Sequence, residues 1–219
     1  MNLLALETST EACSVALQAG ARVWQRHRAT PQGHTQHLLP MVRELCAEAG
    51  MPLTALDGLA VGIGPGAFTG VRIACAVAQG LAFALALPIA PVSTLAALAR
   101  GGWRLTGATE WLVATDARRA EVYWASGTVV DGGRRVDWRV AESLVAPSGV
   151  QAPGVPAWAC AGSGWQAHGA HLPLPPGGTG AALVLPEAQD VLALGEALLA
   201  AGAGVPPDAL TPTYLRSPF

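Results

Sequence analysis

The sequence predicts an α/β protein of two lobes built on one repeated plan. Residues 2–7 and 13–18 are short apolar runs joined by Thr8-Ser9-Thr10-Glu11, a polar turn of hairpin length. Residues 111–116 and 121–125 repeat that arrangement around Ala117-Arg118-Arg119-Ala120. Further along each half an apolar run enters glycine. Leu59-Ala60-Val61 leads into Gly62-Ile63-Gly64, and Trp158-Ala159-Cys160-Ala161 into Gly162-Ser163-Gly164. The same units in the same order read as a duplication.

Taken in order, residues 21–28 follow Gly20 and alternate well enough for a third antiparallel strand. Over 35–49, Leu38, Val42, Leu45 and Ala49 recur at helical spacing and Gly50 supplies a stop. Pro40 predicts a kink or a late start there. Strand 59–61 leads into a stretch, 62–72, that holds four glycines and Pro65. Glycine permits positive φ and close backbone approach, and proline fixes a turn. A long apolar helix over 71–87 follows. After the second half's strands, 173–180 reads as a surface loop, and 190–201 as a helix with Leu192, Leu194, Leu198 and Leu199 on its apolar side. The expected division is an N-terminal lobe at 1–105, with a return helix at about 189–202, a C-terminal lobe at 106–188, and an extended tail at 203–219. Tyr214 and Leu215 should pack that tail on the body, since both lose by exposure.

Half of the chain is hydrophobic (51%) and only 13% is charged, which allows a sizeable core and leaves an uncharged surface suited to a partner. Net charge is −2 and no basic run exists, which argues against unaided, tight nucleic-acid binding. Cys13, Cys46, Cys75 and Cys160 are scattered among apolar or small neighbours and read as buried thiols in a reducing compartment. The apolar start stops at Glu7, short of a signal peptide, and the longest apolar run, 73–87, falls short of the ~20 residues that span a bilayer. The expectation is a cytoplasmic protein with no membrane association.

All thirteen basic residues are arginine. Without lysine, a phosphate loop of the Gly-x4-Gly-Lys type and Schiff-base chemistry are excluded. The 62–72 stretch then reads either as an anion-binding loop under the bare amides of the next helix, or as a tight strand-to-helix turn with no ligand. His34 with His37, and His168 with His171, are each half of a zinc set without a third ligand, and read as surface or capping residues. Ser9, Ser14 and Ser93 lack the Gly-x-Ser-x-Gly elbow of a nucleophile. Glu7 and Asp116 end the first strand of each lobe, where they could face Mg²⁺ or act as a base; capping the hairpin turn is the favoured reading. Arg118-Arg119 beside Asp116 is either an anion site or a solvated hairpin tip.

These residues together resemble the TsaB family. The resemblance runs through 4–17, with Glu7-Thr8-Ser9-Thr10-Glu11, and through His34-Thr35-Gln36-His37 and 62–72. It continues through Ala78-Gln79-Gly80, Pro91-Val92-Ser93-Thr94-Leu95, Asp116-Ala117-Arg118, Glu121-Val122-Tyr123-Trp124, Gly162-Ser163-Gly164-Trp165 and Pro212-Thr213-Tyr214-Leu215-Arg216. The resemblance implies the duplicated actin/hexokinase/Hsp70-like ATPase fold, which is ribonuclease H-like. It also implies a non-catalytic, cofactor-free and metal-free partner of the threonylcarbamoyl transferase TsaD. Together they would form N6-threonylcarbamoyladenosine in tRNAs reading codons that begin with A. TsaD would bind directly, TsaE within the complex, and tRNA only through the complex; a homodimer in isolation is compatible with this. The His-x3-His metal pair of TsaD has no counterpart in 92–98, Glu7 stands where relatives usually carry Asp, and Ile63 and Ala67 remove polar groups from the loop. The alternative is a nucleotide-hydrolysing or kinase-like enzyme of the same fold; no residue supports a peptidase.

Under that reading Gly62, Gly64, Pro65, Gly66 and Gly70 form a structural loop, with positive φ expected at Gly64 and Gly66. In the helix after it, Arg72 and Gln79 share a stripe with Ala76 and Phe83, while Ile73, Val77, Leu81 and Ala84 are expected to pack on the sheet. Arg72, Ala76, Gln79 and Phe83, with His37 and Met41 from the 35–49 helix, are the expected TsaD contacts.

Overall fold

The computed structural model describes residues 1–30, 33–177 and 181–216. Its first sheet opens with an antiparallel meander of β1 (Leu3–Glu7), β2 (Ala12–Ala19) and β3 (Arg22–Ala29). Strands β4 (Gly58–Gly62) and β5 (Ile89–Val92) join parallel to β1, in the order β3-β2-β1-β4-β5. The second sheet repeats this with β6 (Glu110–Asp116), β7 (Val122–Val130) and β8 (Arg135–Val145), antiparallel, and β9 (Ala159–Ala161) parallel to β6. Leu6 pairs with Val15 and Val61 as Val113 pairs with Ala125 and Ala161. The duplicated plan is therefore present in the strand registers themselves.

Helices α1 (His34–Ala49) and α2 (Phe68–Leu85) cover one face of the first sheet, packing Leu38, Leu45, Val71 and Ala78 on Leu4, Leu6 and Val61. Helix α3 (Thr94–Thr106) follows β5, and the short α4 (Gly164–His168) follows β9. From the far end of the chain, α5 (Ala188–Ala200) returns to the other face, where Val191 and Leu194 meet Leu3, Ala5 and Ala60. Ser14 Oγ accepts from the Ala188 amide at 2.9 Å, capping that helix from β2. Helix α3 belongs to both halves: Ala97 joins the α5 core, while Leu95, Leu98 and Ala99 pack on Trp111 and Val113. On the far face of the second sheet, Leu112, Trp124 and Cys160 meet Trp165 of α4. Strand β1 is buried along its whole length, which is why it reads as a continuous apolar run.

Four elements go beyond the sequence reading: β5, α3, β8 and the short α4. Gly101-Gly102 in α3 looks like a break, yet both glycines serve close packing. A Cβ on Gly102 would lie 2.2 Å from the Trp111 ring, and one on Gly101 2.7 Å from Asp190 Oδ2. Helix α2 starts at Phe68, inside the glycine stretch, and stops where Ala86 turns left-handed at φ 54. Pro40 sits inside α1 without ending it. Of the expected 173–180 loop, 173–177 is irregular and 178–180 lie outside the described residues, as do 217–219 of the tail. Cys13, Cys75 and Cys160 are buried, and burial pushes each thiol up to about 11, the state of inert core residues.

Candidate functional site

The glycine stretch is pressed against the first hairpin turn. Ala67 N donates to Ser9 O at 2.7 Å, and Thr8 Oγ1 donates to Gly70 O at 2.7 Å. Ile63 N and Thr94 N reach Val92 O and Gly64 O, each at 2.9 Å. A Cβ on Gly66 would lie 2.3 Å from Ser9 O, and one on Gly70 2.0 Å from Thr8 O. One on Gly62 would lie 2.0 Å from Glu7 Oε2. Gly64 has the expected positive φ, +97°, but Gly66 does not. At Gly66 the requirement for glycine comes from the Ser9 carbonyl instead. Much of the loop's hydrogen bonding is thus directed at the chain itself, with the buried Pro65 at its centre.

Glu7 is fully buried under Gly62, accepting from Ser9 N at 2.6 Å and facing Thr94 Oγ1 at 3.5 Å. It caps the turn, as the favoured sequence reading has it. Burial holds its carboxyl above the ordinary glutamate range, outweighing those hydrogen bonds. The raised value means the folded state keeps a proton that the unfolded state has lost. Glu7 therefore costs no stability below the ordinary pKa, and its cost grows as pH rises from there through the folded value. We expect thermal melts of Glu7→Gln to fall less than those of wild type as pH rises above the ordinary glutamate range. Parallel curves would show that Glu7 ionises freely.

Between the two hairpin turns lies a cavity of about 720 Å³, lined by Thr10 and Glu11 on one side and by Thr115, Asp116 and Arg118 on the other. Phe68 and Arg72 at the start of α2, and Tyr214 and Arg216 from the tail, complete its walls. Arg118 bridges the turns, with Glu11 at 2.8 Å and Asp116 at 3.0 Å. Asp116 also caps its own turn through Arg118 N at 2.9 Å and faces His168 Nε2 at 3.2 Å. Arg216 pairs with Glu121 at 2.7 Å and donates to Ala117 O at 3.0 Å, fixing the tail to the second hairpin.

The outer face of α2 is the second feature. Its buried residues are Gly70, Val71, Ala74, Cys75, Ala78 and Ala82. The expected inward set is therefore rotated: Ile73, Val77 and Leu81 are only partly buried, and Ala84 is exposed. Arg72, Ala76 and Phe83 are exposed, Phe83 at 83%. Gln79 is different, because its amide donates to Pro207 O at 3.0 Å and Leu210 O at 3.1 Å and so belongs to the tail contact. Arg72 Nε donates to Tyr214 OH at 2.7 Å, with its guanidinium 3.6 Å from the centre of the Phe68 ring. On α1, His37 is partly exposed, but Met41 is 7% exposed and packs in the core with Leu38 and Leu45. Met41 is therefore no surface contact; Leu39 is the exposed apolar residue there. Phe68 and Tyr214, ring centres 5.5 Å apart, were missed as surface residues; the aromatics beside Arg72 and in the tail were the available signal. By length and composition α2 could cross a bilayer, yet only 33% of it is buried here, so apolar surface remains outside.

Comparison with known proteins places this geometry. A family model described as TsaD, tRNA N6-adenosine threonylcarbamoyltransferase, matches residues 28–203. YeaZ from Pseudomonas aeruginosa has a similar structure, with a TM-score of 0.91 and 45% identity, covering 98% of this chain and 99% of its own. The tRNA threonylcarbamoyladenosine biosynthesis protein TsaB of Escherichia coli (strain K12) is 40% identical across 99% of this chain and 95% of its own length. The chain belongs to the TsaB family. The TsaB protein of Haemophilus influenzae is 42% identical over 67% of this chain and 65% of its own.

Proposed function

We propose that this chain acts in tRNA threonylcarbamoyladenosine biosynthesis as the non-catalytic, direct partner of TsaD. The product is N6-threonylcarbamoyladenosine in tRNAs that read codons beginning with A. TsaE joins within the complex, tRNA is reached through it, and the site of action is the cytoplasm. The observation that carries the reading is the α2 outer face, where Ala76, Gly80 and the 83%-exposed Phe83 present apolar area with a single charge, Arg72, at one end. Small residues let a second helix approach closely, and an exposed aromatic on an otherwise nearly uncharged face is the composition of an interface core. The family match supports TsaD as the occupant, and the enclosed Glu7 supports a role without chemistry of its own.

Ala76→Glu tests the docking. A carboxylate there would be desolvated at the contact, weakening TsaD binding by about 3 kcal/mol, roughly a hundred-fold in Kd. Ala76 is exposed, so the lone chain should keep its melting temperature. Titration calorimetry against purified TsaD reads the first effect and a thermal melt the second. Undiminished TsaD affinity in Ala76→Glu would remove this face from the proposal.

A further inference from the structure

An open sheet edge invites another strand, because its outer N–H and C=O groups have no partner, and folded proteins cover or break such edges. Three of the four edges of the two sheets are managed in that way. Strand β5 is bridged to the tail, with Ile89 N donating to Val205 O at 2.9 Å and Val205 N to Ile89 O at 2.8 Å. Strand β9 is flanked by residues 182–183, where Gly162 N donates to Leu183 O at 2.6 Å and Ala182 N to Cys160 O at 2.8 Å. Strand β8 is interrupted by two register shifts against β7, and its Arg135 and Arg139 are held by Asp137 and Glu110. Strand β3 has no such device. It runs in unbroken register with β2 from Arg22 to Ala29, and no described residue pairs with its outer edge.

The alternation of hydrogen bonds fixes what that edge offers. Thr30 N donates to Glu11 O at 2.7 Å, so the residues in phase with it, Arg22, Trp24, Arg26 and Arg28, bond inward to β2. Val23, Gln25 and His27 then turn their amides and carbonyls outward, and the Arg26 guanidinium reaches Gln25 O there at 3.1 Å. The charge is one-sided, since β3 carries Arg22, Arg26 and Arg28 and no carboxylate. Arg26 is held by Glu44 and Glu48 of α1. Among the described residues neither Arg22, over the Trp24 ring, nor Arg28, beside His37, has a carboxylate partner. A second copy fits this edge badly, because an antiparallel pairing centred on Gln25 sets Arg22 opposite Arg28. From these observations we propose that β3 accepts an extended acidic segment of a partner protein as an added strand. Main-chain bonds to Val23, Gln25 and His27 hold the segment, and its carboxylates on the α1 side meet Arg22 and Arg28. The inference does not depend on TsaD docking, because its test uses the full chain alone.

The test is binding of a synthetic, end-capped octapeptide of alternating glutamate and valine, read by fluorescence anisotropy of a labelled copy and by amide hydrogen exchange of the chain. Saturable binding is expected, with exchange slowed over residues 22–29. The same peptide with lysine for glutamate, or with every backbone nitrogen methylated, should not bind. Arg22→Glu combined with Arg28→Glu should weaken binding about tenfold, since both residues are exposed and the change reverses two contacts. Val23→Pro removes an outward N–H that the ladder to β2 does not use, and should also weaken binding about tenfold. If Val23→Pro fails to fold by circular dichroism, the charge-reversed variant decides. The proposal fails if the glutamate peptide does not saturate, if the lysine or methylated peptide binds as well, or if the charge-reversed variant binds as wild type does. It fails equally if binding leaves exchange over 22–29 unchanged. Sedimentation showing self-association that Val23→Pro abolishes would assign the edge to a second copy instead and overturn it.

Discussion

Asp190→Ala should lower stability by about 3 kcal/mol, or roughly 6–12 °C in Tm for a chain of this size. Asp190 is fully buried on α5, and it accepts from Arg104 Nε and from a terminal Arg104 nitrogen at 3.0 Å each, and from Arg100. Both arginines stand on α3 and are themselves mostly covered, at 15% and 25% side-chain exposure. Removing the carboxylate leaves two guanidinium groups with little water and one remaining anion, Glu187, 3.1 Å from Arg104. The loss is that of an uncompensated buried charge, larger than the net worth of the pair. Asp190→Asn keeps the volume and removes the charge, so it should fall close to the alanine variant in a thermal melt followed by circular dichroism. If Asp190→Asn melts with wild type, the charge is not what joins the helices.

Gly70→Ala is the second large effect, at about 3 kcal/mol. Its methyl group would lie 2.0 Å from Thr8 O, a backbone atom that no rotamer change can move. Relief requires lifting the first turn of α2 from the hairpin, which breaks the bond from Thr8 Oγ1 to Gly70 O and loosens Val71 from the core. Gly80, ten residues on in the same helix, has nothing within 4 Å of a would-be Cβ. There alanine should stabilise by roughly 0.5–1 kcal/mol through helix propensity alone. Urea titration of both variants checks the opposite signs. A Gly70→Ala variant as stable as wild type would mean that the strand-to-helix turn tolerates displacement and that its glycines are not fixed by packing.

The duplicated plan was legible because strands ending in polar turns leave the same mark in both halves, at 2–18 and 111–125. Helix α3 was not, since Gly101-Gly102 reads as punctuation until Trp111 and Asp190 are seen to fill the space beside it. Strand β8 could have been found: Val136, Trp138 and Val140 alternate with Asp137 and Arg139, the pattern of a half-covered strand. The inward set of α2 was misjudged by about one residue because a helix so uniformly apolar offers only Arg72 and Gln79 to set its angle, and Gln79, taken as outward, is held by the tail. In the cleft, the Arg118-Arg119 pair was visible as a candidate anion site. That Arg118 is spent on Glu11 and Arg119 is not depends on two turns 107 residues apart meeting in space, which no local pattern encodes.

A hinge between the two sheets would have to run through α3, whose opposite sides are buried in different cores. Opening it would strip Ala97 from the α5 side or Leu95 and Leu98 from Trp111, and expose well-packed apolar area in either case. Packing on both sides of α3 therefore resists movement of one half against the other. A protein arriving at α2 meets a platform whose angle to the second sheet is set before contact, so association carries little cost of domain ordering. Affinity at that face is then decided by the side chains it displays.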